Sequence, residues 1–269
     1  MGFHAPVILK HRGLVWAMAK REIQGRYRGS ALGVAWSFVY PVLMLAVYTF
    51  VFGVIFKSRW GGAAVAAGEP ISRFAIILFA GLVVYGMFAE SISKAPALIT
   101  SNAAYVKKVV FPLEILPVAS VIAAVVHMCV GLLVLLLAQL LTAGALPWTA
   151  LAFPVVVLPF VLATTGLSWA LAATGTYLRD LAQVAPLFAT VMLFLAPVFY
   201  PLSAVPEAFR PLIEMNPVTG LVDAVRGVLV FGRLPDLQWL CWQYVSAFII
   251  ALLGLAWFRL LRRGFADVL

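Results

Sequence analysis

Between Glu114 and Arg179 the chain runs for 64 residues without an Asp, Glu, Lys or Arg. Water cannot solvate such a stretch, whereas lipid can. A helix needs about 20 apolar residues to cross the hydrocarbon core, so this run holds two crossings with a turn at 142–148. Three more runs are free of charge, 29–56, 181–206 and 237–258, and a fourth, 74–93, is broken only by Glu90. The pattern predicts an all-α integral membrane protein with six transmembrane helices, near 31–56, 74–93, 115–141, 150–175, 182–201 and 238–258. Residues 1–269 then form a single transmembrane domain. Hydrophobic residues make up 64% and charged residues 11%, against roughly half and a quarter in soluble proteins, which excludes a conventional water-soluble core.

The 19 Lys and Arg divide unevenly across these helices. Thirteen fall on one side, in 10–28, 94–108, 179 and 259–263, and six on the other. The positive-inside rule places both termini in the cytoplasm. The formal charge of +9 is therefore a topology signal, and no nucleic-acid partner is expected. Met1 to Arg28 is basic and lacks an apolar core with a cleavage site, so no secretory signal is expected. Cys129 and Cys241 stand apart in apolar surroundings, and we expect packing roles and no disulfide.

Within 10–28, Trp16, Ala19, Ile23 and Tyr27 recur on one side of a helix and Arg21, Gln24 and Arg28 on another. This predicts an amphipathic helix in the membrane interface, acting as a topology anchor or as a clamp on lipid phosphate. Gly29 and Gly33 bracket the turn into the membrane. Along the first span Trp36, Tyr40, Tyr48, Phe52 and Phe56 fall four apart, with Met44 on the remaining rung. Aromatic faces stack on sugar rings without fixing one register, which suits a moving polymer, although lipid contact and helix packing would produce the same stripe.

Residues 203–232 are too patterned for an idle loop. Glu207, Arg210 and Glu214 are spaced for pairing on a short helix. Asn216-Pro217 reads as an N-cap with proline at the first helical position, and Gly232 ends the segment. Val218, Leu221, Val222, Val225, Val228 and Leu229 form one apolar face. About 15 residues of helix are too short to cross, so we expect a re-entrant helical hairpin, with Asp223 and Arg226 paired on its polar side. On the opposite side of the membrane, the loop of Asn102, Tyr105, Lys107 and Lys108 leads to a shoulder stiffened by Pro112 and Pro117. Arg179-Asp180 is the only charged doublet between Glu114 and Glu207.

The motifs Arg26-Tyr27-Arg28-Gly29-Ser30, Leu32-Gly33, Phe111-Pro112-Leu113-Glu114-Ile115-Leu116-Pro117, Tyr177-Leu178-Arg179-Asp180, Ala196-Pro197-Val198-Phe199-Tyr200-Pro201 and Asn216-Pro217 with Arg226 together resemble the type-2 ABC exporter permeases. They most resemble the branch that exports O-antigen, capsule or teichoic acid chains. Leu113 departs from the pattern, standing where a basic residue is expected. The resemblance implies a homodimer of six-span subunits in the cell inner membrane, with a channel between them. Two copies of a cytoplasmic ABC ATPase, which bind the ATP and Mg, would drive it. It also implies a glycan cargo on a polyprenyl diphosphate lipid. Trp36, Tyr40, Tyr48, Phe52, Phe56, Phe199 and Tyr200 would then line the sugar path, and Arg21, Arg26 and Arg28 would meet the diphosphate. Asn102, Tyr105, Lys107, Lys108, Arg179 and Asp180 would couple to the ATPase, and Asn216, Asp223 and Arg226 would form the outer gate.

The chain itself has no G-x-x-x-x-G-K-[ST] phosphate loop, so energy for uphill transport must come from a partner. A permease for drugs or other small hydrophobic molecules would share the spans and the hairpin. An intramembrane enzyme would need clustered acids, bases or metal ligands. The acids and bases expected to be buried are Glu90, Glu114 and His127, without metal-ligand spacing, and His127 stands alone at mid-span. We therefore expect a transport subunit with no enzyme activity, no cofactor and no metal.

Overall fold

The computed structural model describes residues 10–55, 71–106 and 111–269. Phe56, Lys107 and Lys108 lie outside them. Within the described residues every regular element is helical. The principal helices are α1 (Arg12–Tyr27), α2 (Trp36–Tyr48), α3 (Ile71–Lys94), α4 (Ile115–Ala143), α5 (Phe153–Tyr177), α6 (Leu181–Leu195), α7 (Pro217–Arg226) and α8 (Leu237–Leu261). Four stretches are long and apolar enough to cross a membrane, Ser72–Ala97, Ile115–Ala143, Trp148–Tyr177 and Leu237–Val268, and two apolar helices are shorter. The chain is thus a multi-pass membrane protein.

The two short helices have local causes. In α2, Pro41 removes a backbone donor and Thr49 Oγ1 donates back to Leu45 O at 2.7 Å, and the helix widens into a π turn over Thr49–Ile55. Helix α6 stops at Leu195, short of the expected boundary at 201, because Pro197 forces Ala196 out of the helical region to an extended ψ of 144°. Gly29 and Gly33, with φ of 85° and 51°, supply the left-handed backbone that turns the chain from α1 into α2.

Helix α3 is central. Between Phe74 and Phe88 most of its side chains are buried, against α4, α5, α6 and α7. A second cluster at the basic end joins Val15, Met18 and Ala19 of α1 to Leu113, Ile115, Trp169, Phe258 and Phe265. Leu113, the departure from the family pattern, is buried there. The face of α1 that packs is therefore Val15, Met18 and Ala19, while Trp16 is exposed. Cys129 and Cys241 are free, as expected, and both lie on exposed faces rather than in the packed interior.

The shoulder at Glu114 is fixed from the far end of the sequence. Its carboxylate, 4% exposed, accepts from Arg262 Nη1 at 2.8 and 2.9 Å, and its carbonyl accepts from Trp169 Nε1 at 2.9 Å. Tyr177 Oη donates to Leu261 O at 2.7 Å beside it. Losing one partner of a fully buried ion pair costs about 3–5 kcal/mol, and Arg262 is partly exposed, so Arg262→Ala should cost about 2–3 kcal/mol. Thermal unfolding in detergent should show that loss and leave Arg263→Ala, an exposed neighbour, unchanged.

Candidate functional site

Helices α1, α2, α3 and α4 border an open-sided cavity of about 780 Å³, within the size range of ligand sites. One wall is the four-residue ladder of α2. Trp36, Tyr40, Met44 and Tyr48 all line the space, and Trp36 and Tyr40 are exposed. The facing wall, from α3 and α4, is apolar through Phe79, Leu82, Val83 and Met128. Beyond Tyr48 the aromatic series continues through Phe52, 6.4 Å away between ring centroids, to Phe199, which stacks on Phe52 at 6.0 Å and 21°. Tyr200 donates to Phe194 O at 2.8 Å. Tyr85 Oη, on α3, donates to Ala189 O and ties α6 to this wall.

The floor of the cavity is charged. Arg26 and Tyr27 of α1, Glu90 and Lys94 of α3 and His127 of α4 meet there. Arg26 Nη1 lies 2.7 Å from Glu90 Oε1 and Lys94 Nζ lies 2.8 Å from the same oxygen. His127 Nδ1 is 3.2 Å from Glu90 Oε2, and the Tyr27 ring meets the His127 ring edge-on at 6.0 Å. Burial pushes the Tyr27 phenol above its ordinary value against the opposing pull of Arg26, so it remains a neutral donor. His127 is therefore not alone, which corrects the expectation from sequence. Charged groups on membrane helices gather in this way where they line a polar cavity or pair with one another. Among the described residues no group of His, Cys, Asp and Glu could hold a metal ion.

The other expected site residues are dispersed. Arg21 leaves the cavity and donates to Tyr105 Oη at 2.6 Å and Asn102 Oδ1 at 3.1 Å, and Tyr105 stacks on Phe111 at 4.5 Å. Arg28, Arg179 and Asp180 are exposed. At the opposite end Asn216 caps α7, its side chain accepting from Val218 N at 3.0 Å, with the expected apolar face of α7 buried. Arg226 does not lie on a polar surface. It is 3% exposed and donates to the carbonyls of Ile77, Pro197 and Val198 at 2.9, 2.6 and 2.6 Å, while Asp223 is exposed. The guanidinium thus satisfies two carbonyls freed where α6 ends early.

The profile of the family described as ABC-2 type transporter matches residues 13–230, from α1 through the segment that Arg226 anchors. The chain belongs to this family. An "O-antigen export system permease protein RfbA" of Myxococcus xanthus is 30% identical over 233 residues, covering 86% of this chain and 85% of the relative. Two proteins of the same description from Klebsiella pneumoniae are 26% and 25% identical over 258 residues, each covering 95% of both chains. An ABC-2 permease is the membrane subunit of a transporter and is not itself catalytic, which agrees with a charged cluster that holds helices together and lines a cavity. Within this ABC-2 chain, sequence reasoning missed the bridge from Glu114 to Arg262 and the meeting of Arg26, Glu90 and His127. The signals were the isolated titratable groups in apolar surroundings, Glu114 for the first and Glu90 and His127 for the second.

Proposed function

We propose that this ABC-2 permease exports a polyprenyl-diphosphate-linked polysaccharide of the O-antigen, capsule or teichoic acid kind across the inner membrane. The carrying observation is the cavity, whose aromatic ladder suits sugar rings and whose floor holds cations suited to a diphosphate. The three relatives named as O-antigen permeases support the same cargo. In this reading α2, α3, α4, α5, α6 and α8 are the six spans, and residues 203–232 form the re-entrant hairpin at the outer face. The basic end and both termini are cytoplasmic.

Two copies of the chain enclose the channel, and two copies of a cytoplasmic ATPase bind ATP and Mg and drive it. The Arg21, Asn102 and Tyr105 cluster, with Lys107, Lys108, Arg179 and Asp180, faces that ATPase. Asn216, Asp223 and Arg226 belong to the outer gate. Of the three arginines expected at the diphosphate, Arg26 reaches the cavity and Arg28 remains at the interface. ATP hydrolysis rocks the shoulder at Glu114, opens the seam and advances the chain past Trp36, Tyr40 and Tyr48.

Depleting the protein should remove the surface polysaccharide and leave finished lipid-linked polymer inside the cell, read by mass spectrometry of polyprenyl-linked glycans. A second reading, export of small hydrophobic molecules, draws on the apolar facing wall at Phe79, Leu82, Val83 and Met128. It predicts unchanged glycan pools and a lost resistance phenotype in the same cells.

A further inference from the structure

Two pairs of residues one helical turn apart build a ladder of alternating charge at the basic end. Glu22 and Arg26 stand on α1, Glu90 and Lys94 on α3, and α4 contributes Ser120 and His127. Ser120 donates to Glu22 at 2.9 Å, and Lys94 spans Glu22 at 3.2 Å and Glu90 at 2.8 Å. A single oxygen, Glu90 Oε1, receives both Lys94 and Arg26. Its other oxygen faces His127 Nδ1, which is also 2.9 Å from Arg26 Nη1. That nitrogen serves one of them at a time, accepting from Arg26 when unprotonated and donating to Glu90 when protonated. His127 Nε2 is buried without a hydrogen-bond partner among the described residues.

We propose that Arg26 and Lys94 are the lipid-diphosphate-binding cations of this cavity and that Glu90 is a built-in competing anion that the diphosphate displaces. The inference rests on the polysaccharide-lipid reading above and names its headgroup site. Side-chain exposure is 46% for Arg26 and 40% for Lys94, against 17% for Glu90. The cations reach into the open space with the carboxylate behind them. A guanidinium and an ammonium donate to carboxylate or phosphate oxygens alike, so Glu90 holds them in place while the cavity is empty and spares them an unpaired state in an apolar setting.

When a diphosphate draws Arg26 away from His127, the ring can carry its proton on Nδ1 and donate it to Glu90 Oε2. The displaced carboxylate then keeps a hydrogen bond. Arg21, committed to Tyr105 and Asn102, takes no part. Because Lys94 ends α3 and also holds Glu22 of α1, filling the site loosens α1 from α3 beside the elements placed against the ATPase.

The test is binding of farnesyl diphosphate to the full chain in nanodiscs of phosphatidylcholine. Arg26→Gln and Lys94→Gln should each weaken binding about tenfold or more, and Arg21→Gln should leave it unchanged. Glu90→Gln should strengthen binding about fivefold, because the internal competitor is gone. Glu90→Asp, one methylene shorter, should strengthen it less, and it carries the test if the glutamine variant does not fold. Weaker binding in both Glu90 variants would make Glu90 a structural partner only and overturn the proposal. Equal competition by phosphatidylglycerol added to the nanodisc would also overturn it, by showing a site for any anionic headgroup. Neither result depends on the glycan profile of depleted cells, which tests the polysaccharide reading separately.

Discussion

Gly254→Ala should almost abolish folded protein in the membrane fraction. Among the described residues helices α5 and α8 form the most extensive pairing, and they cross at Gly166 and Gly254 with backbone against backbone. A Cβ on Gly254 would overlap the Gly166 carbonyl, and one on Gly166 would meet Ile250 O at 2.6 Å and Ala251 Cα at 2.7 Å. No side chain can rotate away to make room, so the helices must separate. Between lipid-embedded helices, association depends on close packing because the tails are as apolar as the side chains. Separation therefore removes the main attraction, at a cost near or above the roughly 1–3 kcal/mol typical of overpacked cores. Gly86→Ala is the control, since a Cβ there meets nothing within 4 Å. Size-exclusion chromatography of the solubilised variants should show a sharp peak for Gly86→Ala and aggregate or no protein for Gly254→Ala.

Arg226→Met should be nearly as damaging, and Arg226→Lys should not rescue it. Three carbonyls, from Ile77, Pro197 and Val198, receive the guanidinium in a buried place. Ile77 O keeps its helical partner in α3, but among the described residues the Pro197 and Val198 carbonyls have none. Each buried acceptor left without a partner costs roughly 1–3 kcal/mol, so the methionine variant should lose about 3 kcal/mol or more. Lysine offers a point charge on a flexible stem and cannot match three fixed directions from one planar group. Gly81 lies against this side chain, with a Cβ there only 3.0 Å from Arg226 Nη2. Little space is left for another arrangement. The prediction is a large fall in unfolding temperature for both variants, with Asp223→Asn, on the exposed side of α7, close to the parent.

The helices of this chain were written in its hydropathy, because charge-free runs report the lipid path directly. The Asn216-Pro217 cap and the apolar face from Val218 to Leu229 were legible too, since both follow from spacing within one helix. The end of α6 was available in Pro197 but was overridden by a long apolar run, which records burial and not backbone path. The three-residue spacing of Asp223 and Arg226 brings the two charges within reach of one another, but spacing alone does not reveal the three carbonyls that receive the guanidinium. The charged floor was the least legible feature. Arg26, Glu90 and His127 lie 64, 37 and 101 residues apart in their pairings, and hydropathy carries no information about which helix faces meet. The same holds for Glu114 and Arg262, 148 residues apart.

In the proposed mechanism, lipid-linked polymer travels along the aromatic wall of the α1 to α4 cavity. A photo-crosslinking amino acid at Tyr40, which is 59% exposed on that wall, tests it in living cells, with Leu253 on α8, 65% exposed and outside the cavity, as the reference position. Glycan-reactive adducts at Tyr40 and none at Leu253 are the predicted result. Absence of adducts at Tyr40, or equal adducts at both positions, would contradict the account.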